Sequence, residues 1–128
     1  MYPKDDSPEL VILIVEDDPI TRGMINKVIC AKFQGVVMLE AENGKVGLEM
    51  FNRYKPKIVM TDIAMPILDG LEMAAEIKTL CPDTRIAVLS AFDYEPQYNQ
   101  KANEIGVDFF LHKPIKFTQL FSALEHII

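Results

Sequence analysis

An α/β domain built from five strand–helix units, with a parallel sheet covered by helices on both faces, is predicted by three observations. Short β-branched runs alternate with longer stretches of helical spacing from Leu10 onward. The short runs are apolar nearly throughout, as strands buried on both faces must be. The chain has 128 residues, of which 49% are hydrophobic and 25% charged, a length and balance that build one core without metal or disulfide staples.

Val11 to Val15 reads as the first strand. Asp18-Pro19 then reads as an N-cap with proline at the first helical position, where its missing amide hydrogen costs nothing. The second strand is expected at Val36 to Glu40, with Ala41-Glu42-Asn43-Gly44 looping into a helix over Lys45 to Tyr54. Ile58 to Thr61 forms the third strand and ends on Asp62. Asp69-Gly70-Leu71-Glu72 has the spacing of a capping box with Asp in place of Ser or Thr, and Leu71, Ala74, Ala75, Ile77 and Cys81 continue it as an apolar stripe. The fourth strand is Ile86 to Leu89, and Asp93-Tyr94-Glu95-Pro96 blurs the start of the helix that follows. Val107 to Leu111 is the fifth strand, and Phe117, Leu120, Phe121, Leu124 and Ile128 give the last helix its apolar face. Residues 1–9 read as a tail or linker, and residues 10–128 as a single domain.

The net charge of −6 and pI near 4.8 argue against a field that holds nucleic acid, which needs a basic face to displace counterions. Leu10 to Val15, the longest early apolar run, is too short to span a membrane, and Met1 to Glu9 lacks a signal peptide's layout. A cytoplasmic location without membrane contact is expected. Cys30 and Cys81 stand far apart, outside any C-x-x-C spacing, and read as small apolar fillers in a reduced compartment.

A parallel sheet brings all strand carboxyl ends to one edge, so residues that follow different strands become neighbours there. Glu16, Asp17 and Asp18 follow the first strand, Asp62 the third, Ser90 the fourth and Lys113-Pro114 the fifth. Taken alone, Asp62 is explained as a local cap or turn acceptor. Beside two other acids it points to a hard divalent ion such as Mg²⁺, because clustered carboxylates repel one another unless a cation intervenes. Such a site would be open to a phosphate.

In this arrangement the chain closely resembles the receiver domain of two-component response regulators. The matching pieces are Glu16-Asp17, Asp62-x-x-Met65-Pro66-x-x-Asp69-Gly70, Ser90-Ala91 and Lys113-Pro114, in order over Leu10 to Ile128. Each is weak alone and the ordered set is strong. The resemblance implies a strand order of 2-1-3-4-5 and phosphorylation of Asp62 by a histidine kinase or phosphotransfer protein. It also implies Mg²⁺ held by Glu16, Asp17, Asp62 and the backbone carbonyl of Ala64, with Lys113 meeting the phosphate or the Asp62 carboxylate. A cis peptide between Lys113 and Pro114 is implied as well. The domain would catalyse only its own phosphorylation and dephosphorylation. Asp18 is expected to cap its helix rather than bind metal, and Asp69 to do the same for its own.

The phosphoryl group would draw the Ser90 hydroxyl toward it and pass the change to Phe110, where the family more often has tyrosine. Permanent core packing is the competing role for Phe110. The output face would comprise the fourth helix, fifth strand and fifth helix. The last helix has no Arg or Lys, which argues against dimerisation through charged pairs on that face. Ala64 and Phe92 occupy the positions that tune phosphoryl lifetime; neither hydrogen-bonds an attacking water, so slow self-dephosphorylation is expected. His112 and His126 lack ligand spacing and read as surface residues. A haloacid-dehalogenase-type phosphohydrolase is a weaker reading, since Ala64 stands where it needs a second acid. No G-x-G-x-x-G or Walker loop supports a nucleotide site, and no acceptor, metal or lysine position is lost as in a degenerate receiver.

Overall fold

The computed structural model describes residues 10–90 and 96–128. Five strands, β1 (Val11–Val15), β2 (Val37–Ala41), β3 (Ile58–Asp62), β4 (Arg85–Ser90) and β5 (Phe109–His112), pair in parallel in the order β2-β1-β3-β4-β5. They alternate with α1 (Pro19–Lys32), α2 (Gly44–Tyr54), α3 (Gly70–Leu80), α4 (Pro96–Ile105) and α5 (Phe117–Ile127). The predicted fold class and strand order are those observed.

Strand alternation divides the core into two layers. Leu13, Val15, Val59, Ile86 and Val88 face one side, where Phe51 of α2, Leu71, Ala74 and Ile77 of α3 and Ala102 of α4 cover them. Ile12, Ile14, Met60 and Leu89 face the other, against Ile25 and Ile29 of α1 and Leu120 and Leu124 of α5. Both faces of the sheet are therefore dry, which is why the central strands carry no polar alternation. Truncating one of the fully buried strand residues, Ile14 for example, is expected to cost about 2–5 kcal/mol.

Two helix starts follow their predicted caps, and a third cap lies in the loop expected before α2. The Asp18 carboxylate accepts from the Thr21 amide at 3.2 Å and Pro19 opens α1. Asp69 and Glu72 form the reciprocal capping box of α3. Asn43 caps α2 by accepting from the Val46 amide at 2.8 Å.

The strand bounds differ most at β5, which starts at Phe109 rather than Val107. The Gly106 and Val107 amides both donate to the Ala102 carbonyl, at 3.1 and 3.0 Å, so the end of α4 consumes these residues. Gly106 makes this possible with φ +93, a left-handed conformation that glycine adopts without a Cβ clash. β2 is shifted one residue later than expected, and β3 and β4 extend through Asp62 and Ser90. Cys81 packs half-buried as expected, whereas Cys30 is exposed. Ile25 and Ile29 set the sheet-facing side of α1, and the next residue after Ile29 is turned about 100° away from it. His112 and His126 are exposed, as expected.

Candidate functional site

The carboxyl ends of β1, β3, β4 and β5 converge on three acids and a lysine. Glu16 directly follows β1, Asp62 is the last residue of β3, Ser90 is the last of β4, and Lys113 directly follows β5. The register places Asp62 opposite Leu89 and Ser90 opposite His112, so neighbouring strands end level with one another.

Glu16, Asp17 and Asp62 each offer a carboxylate oxygen within 4.8 Å of the other two. Glu16 and Asp62 are buried and Asp17 is exposed, so the cluster has a closed floor and an open rim. The Lys113 ammonium donates to Glu16 Oε1 at 2.9 Å and to Asp62 Oδ2 at 3.1 Å. Asp62 Oδ1 accepts from the Ile63 amide at 2.8 Å, and Glu16 Oε2 from the Asp18 amide at 3.1 Å. Both buried acids are thus held in one orientation with every hydrogen-bonding oxygen accounted for.

Burial pushes the Glu16 carboxyl above its ordinary pKa, and the hydrogen bonds from Lys113 and the Asp18 amide only partly offset that. Burial works against the Lys113 charge as well, yet its bonds to Glu16 and Asp62 outweigh it and raise its pKa. The lysine is the internal counter-ion of the two buried acids.

The backbone around Asp62 is shaped by its downstream helix. The Gly70 amide donates to the Ile63 carbonyl at 2.9 Å, drawing the start of α3 against the end of β3. A Cβ on Gly70 would lie 1.8 Å from the Asp62 carbonyl oxygen, an impossible contact. Between these points Ile67 sits at φ +74 with 74% of its surface exposed, an unusual backbone conformation for a β-branched residue.

The remaining predicted positions are also placed. Ala64 is exposed two residues beyond Asp62. Ser90 is buried, and its carbonyl accepts from the Lys113 amide at 2.6 Å. The Lys113-Pro114 peptide is cis, as expected. Phe110 is half-buried against the α2–α3–α4 side of the core, its ring centroid 5.4 Å from that of His112. Phe92, Ala91 and residues 1–9 lie outside the described residues. Asp18 is engaged as the α1 cap, with Thr21 holding its carboxyl below the ordinary range.

A profile of the response regulator receiver domain matches residues 12–125. The chain belongs to that family. It is 31% identical over 117 residues to the chemotaxis protein CheY of Halobacterium salinarum, covering 91% of this chain and 95% of that one. The uncharacterized transcriptional regulatory protein YesN of Bacillus subtilis is 34% identical over 118 residues, which are 91% of this chain and 32% of YesN. Among solved structures, the N-terminal domain of an uncharacterized protein (WS1339) from Wolinella succinogenes shares 40% identity and a TM-score of 0.84, covering 92% of this chain and 93% of that domain. The receiver is a two-component signalling module, and the acid cluster is of the kind that receivers use for Mg²⁺ and phosphate. Among the described residues, no helix is long and apolar enough to cross a membrane.

One contributor was not legible in the sequence. Arg22, in the first turn of α1, donates from Nη1 to the Glu16 carbonyl at 2.7 Å and from Nε to Glu40 Oε1 at 2.9 Å. Asn26 donates to the other Glu40 oxygen. Asn26 and Arg22 together hold the Glu40 carboxyl below its ordinary pKa range. The available signal was the four-residue step from Asp18 to Arg22 and on to Asn26, which puts the latter two on one helix face beside β2.

Proposed function

We propose that this receiver is a phosphoryl-accepting switch in which Asp62 takes a phosphoryl group from a histidine kinase or phosphotransfer protein in the cytoplasm. The single observation that carries the reading is the Lys113 ammonium bridging Glu16 and Asp62 while Asp17 completes an oxygen-only cluster at the open rim.

Glu16, Asp17, Asp62 and the backbone carbonyl of Ala64 would hold Mg²⁺, whose chemistry is to offset charge on the transferring phosphoryl and orient it for in-line attack. The donor set fits, since all its side-chain groups are carboxylates within 4.8 Å of one another. Asp62 acts as the nucleophile in its ionised form, its orientation fixed by the Ile63 amide. Lys113 stabilises negative charge on Asp62 beforehand and meets a phosphate oxygen afterward, which its long flexible stem allows.

The added phosphoryl carries roughly −1.5 to −2 charge and strong acceptor oxygens. It draws the Ser90 hydroxyl from the neighbouring strand end. That movement frees or captures the Phe110 ring and shifts the α4–β5–α5 face between two populations. A groove of about 420 Å³ between β5 and α5, lined in part by Phe110, Thr118, Gln119 and Ser122, supports this face as the output surface.

The test is incubation of the protein with Mg²⁺ and acetyl phosphate beside the Asp62→Asn variant. One phosphoryl group per chain is expected for the parent, with none in the variant or in excess chelator. Equal labelling of parent and variant refutes Asp62 as acceptor.

A further inference from the structure

We infer that Arg22 is a positioning residue for the acid cluster, acting with Glu40 and Asn26 as a strut that sets how well Glu16 and Asp17 are presented to a cation. The inference rests on the reading of those acids as the cation site. Arg22 touches neither the reacting carboxylate nor the Lys113 ammonium.

The Glu16 carbonyl belongs to the peptide unit that joins Glu16 to Asp17. A peptide unit is planar, so fixing its oxygen fixes the direction in which the Asp17 backbone leaves it. Arg22 Nη1 holds that oxygen at 2.7 Å. On the preceding side, the Glu16 amide donates to the Ala41 carbonyl at 3.0 Å. Both peptide units that flank Glu16 are therefore tied down, one by the backbone of β2 and one by Arg22.

The strut has a firm base. Arg22 is oriented by Glu40, which is the residue before Ala41 in β2, and Glu40 is itself held by Asn26 one turn further along α1. The Arg22 amide donates to the Asp18 carbonyl at 2.9 Å, so the main chain that carries the guanidinium is fixed in the first turn of α1. A guanidinium suits this task because its planar fork donates in two directions at once, to a carbonyl and to a carboxylate. Lysine offers one compact ammonium and meets only one of them well. Asp17 gains most, since it is exposed and follows directly on the peptide unit whose oxygen Arg22 holds.

Groups that orient metal ligands typically change metal affinity by about 10- to 100-fold when removed. Arg22 acts through the backbone, so the lower end applies, about tenfold. The experiment titrates Mg²⁺ into the parent, Arg22→Ala, Arg22→Lys and Glu40→Gln proteins, followed by backbone amide chemical shifts. Acetyl phosphate labelling is measured over the same Mg²⁺ range, and thermal unfolding in chelator gives the structural baseline.

The expected result for Arg22→Ala is about a tenfold weaker Mg²⁺ Kd, with the labelling rate at saturating Mg²⁺ within about twofold of the parent. Arg22→Lys and Glu40→Gln should shift the Kd in the same direction by smaller factors. A Kd unchanged within twofold in Arg22→Ala, whatever its melting temperature, overturns the inference. If Arg22→Ala does not fold, an unchanged Kd in both Arg22→Lys and Glu40→Gln overturns it equally. A parent protein that shows no Mg²⁺-dependent shifts at Glu16, Asp17 or Asp62 would instead overturn the underlying cation site, so the two failures are distinct.

Discussion

Replacing Lys113 by methionine removes the ammonium that bridges the two buried acids while keeping the length of the stem. In the absence of Mg²⁺ it leaves Glu16, 1% exposed, and Asp62, 9% exposed at the side chain, without their shared counter-ion. Breaking a fully buried pair costs about 3–5 kcal/mol. Here the lysine side chain is 21% exposed and Asp17 opens the rim to water, which reduces the expected cost to about 2 kcal/mol. For a domain of this size that corresponds to a fall in melting temperature of roughly 6–10 °C.

The pH dependence follows from the direction of the shifts. Glu16 already has a raised pKa, and loss of the lysine bond raises it further. A carboxyl whose folded pKa exceeds its unfolded value contributes stability that is present below the unfolded pKa and lost as pH rises through the folded one. The variant therefore loses most at neutral pH and regains ground in acid, where Glu16 protonates. Lys113 in the parent, also raised, keeps its contribution through neutral pH and loses it only as pH rises into the alkaline range of lysine. Differential scanning fluorimetry in chelator from pH 5 to pH 8 reads both trends. A melting temperature within 1–2 °C of the parent at pH 7.5, or a gap that widens in acid, would refute the reasoning. Added Mg²⁺ should narrow the gap at neutral pH, because the cation takes over the lost positive charge.

Gly70→Ala places a Cβ against the Asp62 carbonyl and forces the start of α3 away from β3; a loss of about 3–4 kcal/mol is expected in denaturant unfolding, together with slower labelling of Asp62. Ile67→Gly relieves the left-handed backbone at an exposed position; the gain, net of glycine's unfolded-state entropy, is expected to be about 0.5–1 kcal/mol in the same assay. Ala64→Asn supplies a side chain that positions water beside the acyl phosphate; phosphoryl decay, followed after removal of the donor, is expected to accelerate by about tenfold.

The fold was legible because the central strands are apolar on both faces and two of the helices announce themselves through Asp18-Pro19 and Asp69-x-x-Glu72. The site was legible for a related reason. Glu16, Asp17, Asp62 and Lys113 are each fixed at a strand end, and a parallel sheet makes those ends neighbours without further information. Features built by long side-chain reach or by backbone conformation left no such mark. Arg22 finds the Glu16 carbonyl and Glu40 through a fork that no local pattern encodes. The left-handed Ile67 carries no glycine to signal it, and the turn that ends α4 takes up Val107, a residue whose composition suits a strand. Cys30 differs for a simpler reason: one helical step past Ile29 is enough to leave the core.

The central claim is tested most directly by locating the modification. Protein treated with Mg²⁺ and acetyl phosphate is reduced with borohydride, which converts an acyl phosphate on aspartate to homoserine, and is then digested and sequenced by mass spectrometry. The account predicts homoserine at position 62 and at no other acid. Homoserine at Asp17 or another carboxylate, or an unmodified Asp62 in a protein that has taken up a phosphoryl group, would contradict it.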